Sequence, residues 1–230
     1  MVNFRTKQLF GAVFYIEVKW GFNIMYARYI KRILDFILSL IAMLLLWPIL
    51  IIVSVLIKLD SSGPVFYTQL RPGKNQKLFK LYKFRTMIQG ADKYQKVGIE
   101  VKQDDSRITF LGRFLRRTKI DELPQLINIL KGDMSIVGPR PSLPEYLEQY
   151  EDWELERFLV RPGLTGLAQI NGNIYLKREE KSVYDVKYIK EMSFFLDAKI
   201  IIKTVLIVLC GEDKFINKTD AELSKRSIIK

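Results

Sequence analysis

The sequence predicts an α/β fold dominated by helix: a small β-hairpin plus helices, carried behind an N-terminal membrane helix. Three stretches predict it. Residues 33–57, ILDFILSLIAMLLLWPILIIVSVLI, are broken only by Asp35, Ser39, Pro48 and Ser54, and so exceed the ~20 apolar residues that a helix needs to cross a bilayer. Two β-rich runs, 65–69 and 77–86, flank the turn signal Pro72-Gly73, the pattern of a hairpin. Residues 107–141 carry helix start and stop signals around the apolar run LPQLINIL.

Ahead of the membrane stretch, residues 1–28 mix aromatics and charges without a period. Glu17, Lys19 and Arg28 interrupt any apolar core, so this is not a secretory signal; a short membrane-surface helix and a disordered extension both fit. Within the stretch, Pro48 removes a helix hydrogen bond and is expected to break or kink the helix. Lys19, Arg28, Lys31 and Arg32 precede it and Lys58, Arg71, Lys74 and Lys77 follow, so the positive-inside rule picks no direction. That symmetry suits a helix entering and leaving by one face. A plain spanning helix with a tolerated proline fits the physics equally.

In the hairpin, Lys83 and Arg85 lie two apart and point to one face of the second strand. Two cations there suit phosphate or lipid headgroups, or simply a solvated face. Residues 88–106 are polar; Asp104-Asp105, followed at once by Arg107, reads as a turn or helix entry rather than a metal pair.

The centre of the chain is Asp121-Glu122. Thr109 is placed to cap a helix over Phe110–Arg117, which brings Arg116 close to the pair. Pro124 is tolerated only in a helix first turn, so a second helix starts between Thr118 and Pro124. It ends at Lys131-Gly132, where glycine takes the left-handed cap. Both carboxylates then sit at a helix N-terminus, where the dipole favours the ionised form by roughly 0.3–1 kcal/mol. Arg113, Arg116, Arg117 and Lys119 precede them, and Lys131 and Arg140 follow. A carboxylate held among cations can be a capped helix start, a metal ligand or a nucleophile. Pro139 and Pro141 stiffen the backbone around Arg140, which suits a bidentate phosphate clamp or simply a surface turn with an incidental arginine.

Beyond it, residues 142–160 read as an amphipathic, solvated helix. RPGLTGLAQINGN carries Arg161 and three glycines that let backbone amides approach a phosphate closely. Residues 176–192 have helical spacing. Residues 194–209, apolar but carrying Asp197, Lys199 and Lys203, suit either a helix in the membrane interface or a core helix. The remainder is a polar tail.

Composition narrows the chemistry. Lys+Arg is 37 against Asp+Glu 25, a net charge of +12, which calls for an anionic partner. With no histidine and one cysteine, Cys210, Ser-His-Asp and Cys-His catalysis, disulfide frameworks and His/Cys zinc sites are excluded. Oxygen ligands remain, which suit Mg²⁺.

KRILDF (31–36), GPVFYTQLRPG (63–73), FKLYKFRTM (79–87), residues 107–141 and VRPGLTGLAQINGN (160–173) together resemble the bacterial sugar transferases, the monotopic phosphoglycosyl transferases that load a phosphosugar onto polyprenyl phosphate. The resemblance implies a re-entrant, Pro48-broken membrane helix over 29–59 and a catalytic domain over 60–210 on the cytoplasmic face of a bacterial inner membrane. Residues 1–28 are then an N-terminal extension and 211–230 a tail. It also implies that Asp121 attacks a UDP-sugar, expels UMP and passes the phosphosugar to undecaprenyl phosphate. Glu122 assists, Mg²⁺ sits near Asp121, and Lys83, Arg85, Arg116, Arg140 and Arg161 hold phosphates. The implied partners are a UDP-sugar, undecaprenyl phosphate and membrane lipid, with no nucleic acid; the apolar surface near the anchor is compatible with a homo-oligomer. On charge and anchor alone, two rivals stand. One is a membrane-tethered, non-catalytic module binding anionic lipid or nucleic acid. The other is a glycosyltransferase that releases UDP.

Overall fold

In the computed structural model, which describes residues 25–91 and 105–211, one long helix is the axis of the molecule. A π-helical turn, Tyr26–Ile30, runs directly into α1, Lys31–Asp60. Pro48 lies within α1, which is a single helical element from Lys31 to Asp60; a proline there can kink the axis without ending the helix. Its missing amide costs one ladder bond, while the packing of α1 on both sides of it supports the turns that remain. Most of the N-terminal extension, Asp104 and the polar tail fall outside the described residues.

One stripe of α1 faces protein. Lys31, Asp35, Ser39, Val53 and Ile57 are buried, and Leu34, Ala42, Met43, Leu46 and Leu50 pack beside them. The steps between these positions are mostly three and four residues, one side of a helix. The other sides are exposed and apolar, with Leu45 and Leu59 at 72% and 78%. Burying such a side chain is worth ~1.5–3 kcal/mol, so water is a poor solvent for this surface. The helix is long and apolar enough to cross a membrane.

Other described elements pack along that stripe from end to end. β1 (Phe66–Pro72) and β2 (Leu78–Phe84) form the expected antiparallel hairpin, Phe66 opposite Phe84 and Pro72 opposite Leu78. Its turn takes Asn75 and Gln76 into the left-handed region. α2 (Phe110–Arg117) is capped by Thr109, whose hydroxyl accepts from the Gly112 amide at 3.0 Å. A 3₁₀ turn, Ile120–Glu122, leads to α3 (Gln125–Lys131), which stops at Gly132 with φ +91°. Asn128 clamps α3 to the hairpin: its side-chain amide donates to Lys80 O at 2.8 Å and accepts from the Tyr82 amide at 3.1 Å. Phe79, Leu81, Leu126, Ile129 and Met134 then form a core under the middle of α1, and Phe84 and Leu115 one under its C-terminal part.

A short parallel pair joins β3 (Ser135–Val137) to β4 (Gly163–Thr165). The region 142–160 is not the expected amphipathic helix. It forms two 3₁₀ segments, Pro144–Gln149 and Glu154–Leu159, and the second is buried. Pro141 and Pro144 hold the entry extended, and Leu155 and Phe158 pack with Tyr150 rather than lying on solvent. After the single-turn α4 (Leu167–Ile170) come α5 (Arg178–Glu191) and α6 (Phe194–Cys210). In α6 a narrow stripe of Asp197, Ile200 and Ile207 is buried, while Phe195, Ile202 and Leu209 are exposed. The helix thus has one core face and one apolar outer face.

The N-terminal part of α1 is locked to this C-terminal half by buried polar groups. Lys31 Nζ lies 2.6 Å from Asp197 Oδ2. Asp197 also accepts from the Tyr26 and Tyr188 hydroxyls at 2.6 and 2.8 Å. Asp35 accepts from Ser135 Oγ at 2.6 Å and the Ile136 amide at 3.1 Å. Every charge buried here has a partner, as burial requires.

Candidate active site

Lys119 turns the chain with φ +59°, and the next three residues bring Asp121 and Glu122 inward against β2. Both are buried, at 7% and 9% exposure, although neither is apolar. Glu122 is fully matched. Arg140 grips both its oxygens, at 2.6 and 3.3 Å, and Lys83 Nζ donates to Oε1 at 2.8 Å. Arg140 and Lys83 therefore hold the Glu122 carboxyl well below its usual range against the cost of burial. Asp121 differs. No group among the described residues donates a hydrogen bond to it. Burial, then the charge of Glu122, push it up to about 6, while Lys83, Arg116 and Arg140 pull the other way. Two adjacent carboxylates are thus split: one is ionised and occupied, the other is desolvated and unpartnered. Perturbed groups of this kind mark reactive sites.

Of the seven residues predicted here, Asp121, Glu122, Lys83, Arg116 and Arg140 come together. Arg116 is half-buried at the end of α2, its charge felt by both carboxylates. Two do not join them. Arg85, one residue past the end of β2, turns to the C-terminus of α1, donating to Ser61 O at 2.7 Å, to Ser62 O, and to Ile57 O at 3.4 Å. Arg161 donates from Nε to Gly132 O at 2.8 Å, beside Arg32, which donates to Ile129 O and Leu130 O at 2.6 and 3.0 Å. Both therefore make hydrogen bonds at helix ends instead of contacts with the dyad. The last carbonyls of a helix lack partners and carry the negative end of the dipole, which draws the nearest cation. The glycines after Arg161 serve the backbone too: a Cβ on Gly163 would fall 2.1 Å from Gly138 N, so glycine is what lets β4 reach β3.

Sequence reasoning missed the support beneath Arg140. Arg157 is buried, its guanidinium 2.8 Å from Asp185 Oδ2, bonded to the Tyr150 hydroxyl and donating to Arg140 O at 2.9 Å. Its guanidinium carbon lies 5.1 and 5.6 Å from the ring centres of Tyr150 and Phe158, which meet each other edge to face. Burial pushes Asp185 up to about 6 despite Arg157. This network fixes the Pro139–Pro141 segment and so the aim of Arg140. No local pattern marks an interior arginine in a run as acidic as EYLEQYEDWELER.

Among the described residues no three His, Cys, Asp or Glu side chains cluster as a metal cage. Mg²⁺ does not need one: it binds through one or two carboxylates plus substrate phosphates and water. Asp121 offers such a carboxylate; Glu122, with both oxygens engaged, does not.

The site is an unpartnered carboxylate beside several cations, next to a long apolar helix. The chain belongs to the family described as Bacterial sugar transferase, whose pattern matches residues 26–211. It is 43% identical over 183 residues to the uncharacterized sugar transferase EpsL of Bacillus subtilis (strain 168), covering 80% of this chain and 89% of that one. To the UDP-glucose:undecaprenyl-phosphate glucose-1-phosphate transferase of Escherichia coli (strain K12) it is 42% identical over 186 residues, 77% of this chain and 40% of that one. The UDP-N-acetylgalactosamine-undecaprenyl-phosphate N-acetylgalactosaminephosphotransferase of Aeromonas hydrophila is 39% identical over 190 residues, 80% and 44% of the two chains. The chain thus spans less than half the length of these last two relatives.

Proposed function

We propose that this protein moves a sugar-1-phosphate from a UDP-sugar to undecaprenyl phosphate and releases UMP, an early membrane step of surface polysaccharide synthesis. The observation that carries this reading is the division of the dyad: Asp121 is buried, unpartnered and pushed up to about 6, beside a Glu122 whose charge is spent on Arg140 and Lys83. The names of the Escherichia coli and Aeromonas hydrophila relatives support the substrate pair.

With a pKa of about 6, Asp121 is about nine-tenths ionised at pH 7, yet it is poorly solvated and so nucleophilic. An oxygen of Asp121 attacks the sugar-bearing phosphorus. The bond from that phosphorus to the bridging oxygen breaks, and UMP leaves with the electron pair. An oxygen of undecaprenyl phosphate then attacks the same phosphorus, the bond to Asp121 breaks, and the carboxylate is regenerated as the lipid-linked sugar diphosphate departs. Glu122, held far below its usual range, is a weak base. Its role is to hold Arg140 and Lys83 where charge develops on the phosphoryl oxygens. Arg116 adds a third cation. Mg²⁺ held by Asp121 and the substrate would neutralise diphosphate charge.

The membrane disposition we propose is a helix that enters and leaves by one face, at the cytoplasmic side of the inner membrane. It is supported by the packing of protein along all of α1. A helix of 30 residues is about 45 Å long, longer than the ~30 Å hydrocarbon core. Were it to cross upright, β2, α2 and α3 would enter the lipid beside it.

The test uses detergent-purified protein, Mg²⁺ and a panel of UDP-sugars without lipid acceptor, read by intact mass and released nucleotide. One added phosphosugar with stoichiometric UMP, both lost in Asp121→Asn, is expected. UDP release would indicate a glycosyltransferase. Release of neither nucleotide, even after lipid acceptor is added, would leave a tethered anion-binding module.

A further inference from the structure

Arg71, at the end of β1, is a half-buried cation with no carboxylate bonded to it among the described residues. Its NH2 donates to Gln69 Oε1 at 2.7 Å, and its NH1 makes only a long bond to Pro141 O, 3.4 Å. Its Nε is buried and bonds nothing among the described residues. Burial, and then the charge of Arg140, push it down to about 10. One residue beyond Pro141, the hydroxyl of Ser142 is also buried without a partner. A buried donor left unmatched costs ~1–3 kcal/mol, more when it is charged, and here two flank one proline next to Arg140. Glu122 already takes Arg140. What Arg71 Nε and Ser142 Oγ lack is an acceptor, and an anion with several oxygens satisfies both.

We infer that Arg71 and Ser142 form a second anion site beside Arg140, which takes the phosphate of the departing nucleotide while the sugar-bearing phosphate sits at Asp121. The site rests on the reading that UMP is the leaving group. Arg71 meets the chain at Pro141, next to Arg140, while Lys83 meets Arg140 at Glu122, so one arginine can serve both phosphates. It stabilises the leaving group rather than the nucleophile, so it acts on product binding as well as on rate.

The test is calorimetric titration of the full chain in detergent with UMP and, separately, with inorganic phosphate. Wild type is expected to bind UMP; Arg71→Gln to bind it at least tenfold more weakly; Arg71→Lys to recover part of the loss; and Ser142→Ala, which removes one oxygen and leaves the packing, to lose a few fold. Equal UMP affinity in wild type, Arg71→Gln and Ser142→Ala would overturn the site. If phosphate binds in an Arg71-dependent way and UMP binds no better, the anion site stands and the nucleotide reading fails. If wild type binds neither, the site is overturned, whatever the sugar panel shows at Asp121.

Discussion

Lys83, in β2, and Arg85, one residue past its end, are two positions apart and end in different chemistry. Lys83 reaches Glu122 in the dyad; Arg85 reaches the final carbonyls of α1. The same split divides Arg140 from Arg161: one clamps a carboxylate, the other closes the end of α3. A cation goes to the nearest unmet negative potential. A helix C-terminus supplies that as well as an acid does. Counting arginines near an acid therefore overcounts its site, because part of the set is spent on holding the scaffold.

This contrast can be broken or sharpened. The largest effect is expected at the unpartnered member of the dyad: Asp121→Asn lowers transfer by ~10³-fold or more, as loss of a covalent nucleophile does, with thermal stability near wild type. Arg140→Gln follows, with turnover down ~10²-fold and little change in melting. Arg85→Ala should do the reverse and lower the unfolding free energy by ~2–3 kcal/mol, since charged hydrogen bonds to α1 are lost; thermal unfolding beside turnover decides. If Arg85→Ala proves stable but inactive, the division between site and scaffold cations is wrong.

Smaller effects test the electrostatics. Because Asp121 is pushed up to about 6, formation of the phosphosugar-enzyme should rise with pH through about 6. Glu122→Gln removes the neighbouring negative charge, so its acid limb moves down; Lys83→Met removes an opposing cation, so its limb moves up. Stability carries the opposite sign: Asp121 is harder to ionise folded than unfolded, so its contribution is fully present below about 4 and is lost as pH rises through about 6. The smallest effect is Arg161→Gln, one capping bond, ~0.5–1.5 kcal/mol in unfolding with turnover unchanged.

Much of the frame was legible because it is written locally. Thr109 capping α2, Gly132 ending α3, the hairpin about Pro72-Gly73 and the apolar run of α1 depend on residues close together in the chain. The dyad was legible for the same reason, its neighbours Arg116 and Arg140 arriving by short connections. What was not legible depended on distant partners. The region 142–160 looked amphipathic, but Arg157 finds Asp185 inside the protein, and Pro141 and Pro144 deny it a regular helix. Lys31 and Asp35, four apart on an apolar helix, were a readable signal of a buried polar face; Asp197 and Ser135, which complete it, come from residues a hundred or more positions away.

The sequence by itself determined where helices begin and end, that one of them is suited to lipid, and that two carboxylates sit together among cations, since caps, turns and periodicity act between neighbours. Only the tertiary structure decided which cations meet Glu122, which close helix ends, and that Asp121 is left without a partner. The physical reason is that a charge is set by what desolvates and opposes it, and those groups come from β2, α2 and the Pro139–Pro141 segment, which adjoin only when the chain is folded along α1.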